Sequence, residues 1–100
     1  LAKHIEAKDA GGLNELAWTI VDPQGDVKNK NIEFALKAAQ EANRLSGEKD
    51  AAILDTLARC WFIKGEKSKA IEIQKKAISF AKGNMKAELE DVLAEYEGSK

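Results

Sequence analysis

Three observations predict an all-α fold. Ala, Leu, Glu and Lys, all strong helix formers, dominate the chain, which carries a single proline. Apolar residues recur at helical spacing in successive segments. Gly, Asn, Asp or Pro stand between those segments, where helices start and stop. One hundred residues make one domain. A chain of that size buries about 60–65% of its unfolded surface, so its core is modest and hides few polar groups.

Residues 1–9 have helical character but little apolar content, and Gly11-Gly12 is expected to break the chain. The segment 1–12 is therefore left outside the core. A first helix is predicted over 13–22, with Leu13, Leu16, Ala17 and Ile20 on one face. Asp22-Pro23-Gln24-Gly25-Asp26 is turn chemistry, because the residue before proline is pushed out of the α region and glycine permits a reversal. Asn29 or Asn31 is placed to cap the next helix through its side-chain oxygen.

The second helix, 31–45, carries Ile32, Ala35, Leu36, Ala39, Ala42 and Leu45, an alanine-rich stripe that lets a neighbour approach closely, and Gly47 ends it. Asp50 caps a third helix, 50–64. Leu54, Leu57, Ala58 and Trp61 form one stripe on it and Ile53, Cys60 and Ile63 a second, so it is expected to pack on more than one side. Gly65 terminates it. A fourth helix, 67–82, presents Ala70, Ile71, Ile73, Ala77, Ile78 and Phe80, and Gly83-Asn84 closes it. The last helix, about 85–97, turns Leu89, Val92, Leu93 and Tyr96 inward and is otherwise acidic.

Compared with itself, the chain repeats. Leu13-Asn-Glu-Leu-Ala17 and Leu54-Asp-Thr-Leu-Ala58 share one skeleton at an offset of 41 residues. Ala35-Leu36, Ala42 and Leu45 match Ala70-Ile71, Ala77 and Phe80 at an offset of 35. The difference of six residues lies in the turn after Val21. Two helix–turn–helix units follow, 13–46 with an enlarged turn and 50–83, and the helix at 85–97 caps the apolar end of the stack.

The second unit resembles a tetratricopeptide repeat in Leu54-x2-Leu57-Ala58-x2-Trp61, Gly65, Ala70 and Ala77. It departs from that pattern at Leu54, where Trp is usual, at Gln74, where a large aromatic is common, and at Lys82, where Pro often closes the unit. In the first unit Ala39 stands in the aromatic's place, and Ile20 takes the slot that Trp61 fills in the second. The resemblance covers roughly residues 10–84. It implies a right-handed α-α superhelix of two units whose first helices line a concave face. Asn14, Trp18 and Val21 from one unit, and Asp55, Arg59, Phe62 and Ile63 from the other, are the residues it places there. Trp18 and Phe62 lie off the packed stripes, Arg59 can accept a carboxylate, and Asn14 can hydrogen-bond a backbone; Arg and Trp are enriched at interface hot spots.

The resemblance therefore implies a scaffold that binds a protein or peptide partner, with no cofactor. The peptide-terminus clamp of some tetratricopeptide domains is not recognisable, since apart from Asn14 its Lys and Asn residues are missing. Similar two-repeat tails follow thioredoxin-like domains in bacterial proteins, and a start at Leu1 rather than Met suits a piece of a longer chain. The alternative role is thus a structural or dimerising domain of a larger enzyme, such as a thiol-disulfide oxidoreductase, with an adjacent domain as its partner.

Other functions find little support. A net charge of −1 argues against nucleic-acid binding, and no apolar run reaches the roughly 18 residues of a membrane span. One cysteine and one histidine exclude an intramolecular disulfide and a thiolate metal cluster. Cys60, on an apolar helix face, reads as a small hydrophobe rather than a nucleophile paired with His4. Phosphate loop, metal-ligand spacing and nucleophile elbow are all missing.

Overall fold

The computed structural model describes residues 10–21 and 31–98. Within them the chain forms five helices and no strand: α1 (Ala10–Val21), α2 (Ile32–Leu45), α3 (Ala51–Lys64), α4 (Lys67–Phe80) and α5 (Asn84–Tyr96). The expected enlarged turn at 22–26, Asn29, and the expectations for residues 1–9 fall outside the described residues.

The helix ends follow from local chemistry. Asn31 Oδ1 accepts from the Phe34 amide at 3.1 Å and opens α2. Asp50 Oδ1 accepts from the Ala52 and Ile53 amides at 3.0 and 3.2 Å and opens α3. At the end of α3, Gly65 takes a left-handed conformation with φ 99°. Its N–H donates to Phe62 O, and the Glu66 N–H donates to Trp61 O, which satisfies two carbonyls that the helix leaves open. The same pair of bonds closes α2, from Gly47 to Arg44 O and from Glu48 to Asn43 O.

Two boundaries differ from expectation. α1 starts at Ala10 and runs through Gly11-Gly12. Glycine in a first turn costs less than the roughly 0.5–1 kcal/mol of a mid-helix glycine, and Ala10 packs on the core one turn before the buried Leu13. α4 stops at Phe80 because Ala81 turns to extended backbone and fills a buried position itself, which leaves Phe80 exposed.

Each helix packs on its successor, and α1 also packs on α3. The largest apolar cluster joins Leu13, Ala17 and Val21 of α1 to the small face of α2 and to Ile53, Leu57 and Cys60 of α3. The α2 face is Ala35, Leu36, Ala38, Ala39 and Ala42, all buried, so the backbones of its neighbours come close. A second cluster holds Ala51 and Leu54 against Ala77, Ala81 and Leu89. A third holds Ala58 and Ala70 against Tyr96. Trp61 belongs to the edges of the first and third clusters, and Ile73 to all three. α3 is thus the inner helix. From Ala51 to Cys60 only Ala52 and Asp55 escape full burial.

α5 turns Leu89 and Tyr96 into the core and half-buries Val92 and Leu93, while Glu88, Glu90, Asp91, Glu95 and Glu97 stay exposed. Two lysines of the basic stretch reach back to the first half of the chain, Lys64 to Glu33 at 2.7 Å and Lys76 to Glu48 at 3.7 Å. Such exposed pairs contribute about 0–1 kcal/mol each.

Candidate functional site

α1 packs on α3, and residues of α5 complete an opening beside them. Between the three is a cavity of about 250 Å³. Asn14 and Trp18 of α1, Ala52, Asp55 and Thr56 of α3, and Met85, Glu88 and Leu89 of α5 line it. Asn14 and Asp55 hold the same slot in the sequence repeat, and the packing of α1 on α3 brings both slots to one opening.

The polar groups of the cavity differ in how well they are satisfied. Asn14 Oδ1 is buried and has no hydrogen-bond partner among the described residues. Thr56 Oγ1 donates to Ala52 O within its own helix at 3.1 Å. Asp55 Oδ1 accepts from Gln74 Nε2 at 3.0 Å, and the same nitrogen donates to Leu89 O at 3.1 Å. Gln74, fully buried, thereby ties α3, α4 and α5 together. Burial pushes the Asp55 carboxyl above its ordinary pKa, against the Gln74 hydrogen bond and the Arg59 charge; the Glu88 charge adds to the rise.

The remaining site residues predicted from sequence do not face this opening. Val21 was expected on the concave face but is fully buried in the main core. The buried stripe of α1 runs Leu13, Ala17, Val21, at i, i+4 and i+8, because the helix packs on both α2 and α3; Leu16 and Ile20 are only half-buried. Arg59 and Phe62 were also expected to be open to a partner, and α5 covers both. Arg59 is 6% exposed, with Nη1 3.3 Å from Glu95 Oε2 and its guanidinium 4.9 Å from the Tyr96 ring centre. Phe62 stacks on Tyr96 at 4.4 Å between centroids. The carboxylate that Arg59 can accept is thus one of the chain's own. Ile63 is 37% exposed.

Sequence reasoning missed Met85 and Glu88. The signal was partly present: Met85 stands four residues before Leu89, which was expected to face inward, and so shares its side of α5, and Glu88 stands three residues after Met85.

Cys60 is fully buried, and burial pushes its thiol up to about 12, so it stays protonated at neutral pH. Among the described residues no group of three His, Cys, Asp or Glu is placed to hold a metal ion. No described helix is long and apolar enough to cross a membrane. A second cavity of about 250 Å³ lies between α1 and α2, lined by Leu13, Phe34, Lys37, Ala38 and Glu41, and its wall is almost wholly apolar. Comparison with protein-family models finds no match, and neither the curated proteins nor the solved structures contain one.

Proposed function

We propose that the chain is a protein-interaction module that holds an extended segment of a partner in the opening between α1, α3 and α5. One observation carries this reading: Asn14, Trp18 and Asp55, chosen from repeat-equivalent and neighbouring slots, converge on one cavity whose buried Asn14 oxygen lacks a partner among the described residues. A buried acceptor left unpaired costs roughly 1–3 kcal/mol, which a bound donor recovers. Trp18 is half-buried against the main core and lines the opening, and it is a residue type enriched among interface anchors.

The proposal extends to architecture. The hairpins α1–α2 and α3–α4 are two tetratricopeptide-like units in a right-handed α-α superhelix, and α5 is their cap. The repeat offsets, the glycine turn at Gly65 and the packing of α1 on α3 support this assignment. The cap has a second effect in this reading, because it closes the concave face beside Arg59 and Phe62 and leaves the face open beside Asn14 and Asp55.

The test is a displayed library of short peptides selected against the chain. Trp18→Ala should abolish binding of the selected peptides while the far-ultraviolet circular dichroism stays unchanged. Undiminished binding by the folded variant refutes the groove.

A further inference from the structure

The two charged side chains that line the cavity between α1, α3 and α5, Asp55 and Glu88, are both carboxylates. They come from different helices, and Asp55 feels the charge of Arg59 and, more weakly, that of Glu88. Arg59, whose charge reaches Asp55, is itself engaged by Glu95 and by the Tyr96 ring, and among the described residues neither lysine nor arginine lines the cavity. The Asn14 oxygen adds a buried acceptor without a partner among the described residues. The walls beside these groups, Trp18 and Met85, are apolar. An opening with an apolar throat and negative acceptors has the chemistry of a receptor for a long aliphatic stem ending in a cation.

We infer that the cavity takes a lysine or arginine side chain of an extended peptide, its stem against Trp18 and Met85 and its cationic head between Asp55 and Glu88. The inference rests on the docking role proposed above and names the chemistry of the ligand. The head gives each carboxylate a charge-assisted hydrogen bond. The indole of Trp18 adds a cation–π surface. An acidic segment meets two like charges there and is rejected. Specificity therefore comes partly from α5, which supplies Met85 and Glu88, and not from the repeated helices alone.

The test uses the isotopically labelled chain and three peptides: acetyl-Ala-Ala-Lys-Ala-Ala-amide, the same peptide with norleucine for lysine, and the same with glutamate. The Asn14 side-chain amide and Trp18 indole resonances report occupancy. The lysine peptide should shift both, more strongly at low salt, and bind about tenfold more tightly than the norleucine peptide, with the glutamate peptide weakest. Glu88→Gln, at an exposed position that leaves the fold intact, should erase most of that tenfold preference, and Asp55→Asn should do the same. If the norleucine or glutamate peptide shifts the same resonances with equal affinity, or if the preference survives in both variants, the cationic assignment is overturned while the docking role stands. If the peptides leave α1, α3 and α5 unperturbed, both readings fall.

Discussion

Arg59 shows how a side chain that looks like a binding residue becomes part of the core. Its guanidinium lies over Tyr96 and reaches Glu95, whose side chain is 49% exposed, so the ion pair is partly screened and the ring contact matters more. Arg59→Ala should lower stability by about 1–2 kcal/mol, seen as a lower urea midpoint, and Arg59→Met, which keeps the stem, should lose less. Asp55 makes a separate prediction. Its folded-state pKa is raised above the ordinary carboxylate value of 3.8, with burial as the largest cause. The native state therefore holds the proton more tightly than the unfolded state, and the ionisation of Asp55 lowers stability as pH rises from the unfolded pKa through the folded one. The stability of Asp55→Asn relative to the parent should accordingly climb over that window, as urea unfolding between pH 4 and 7 will measure; a flat difference contradicts the raised pKa. That Asn14 and Asp55 come to one opening could be anticipated from the sequence, because repetition marks equivalent slots. Val21, Arg59 and Phe62 were misplaced because their surroundings depend on neighbours far along the chain, which helical periodicity does not report.

At the scale of the elements, the ends of α2 and α3 were readable because capping is local: Asn31, Asp50 and Gly65 each act within a few residues of themselves. Gly65→Ala should cost about 1–2 kcal/mol, since a Cβ meets nothing within 4 Å and only the left-handed backbone opposes it. Thermal unfolding followed by circular dichroism will show it as a lower midpoint, and an unchanged midpoint is inconsistent with the φ of 99°. Gly11-Gly12 misled for the converse reason. Glycine is a weak breaker in the first turn, where amides have no intrahelical partner to lose, and a tertiary contact through Ala10 decides the outcome. The burial of Gln74 was equally hidden. Its place among apolar residues depends on Asp55 and on the Leu89 carbonyl, which belong to two other helices.

Across the whole molecule, the wide apolar arc of α3 correctly forecast an inner helix, while the extent to which α5 seals α3 could not be read from α5 alone. Leu89 and Tyr96 pointed inward, but the Tyr96–Phe62 stack and the Arg59–Glu95 pair exist only once five helices are assembled. Cys60, on the inner helix, reports on that assembly. It is fully exposed to reagent only when the core opens, so alkylation by iodoacetamide at neutral pH should be slowed by at least about 10³ relative to the urea-unfolded chain. Rapid modification of the native protein would contradict its burial. One more consequence follows from α3. It touches α1, α2 and α4 through extensive packing and α5 through side chains, and between Ala51 and Cys60 its two incompletely covered positions, Ala52 and Asp55, open into the same cavity. The groove is in effect a window onto the keystone of the bundle. Under the docking role proposed above, a ligand that binds only the folded chain should raise its melting temperature by mass action, because the groove opens onto the helix against which the others pack.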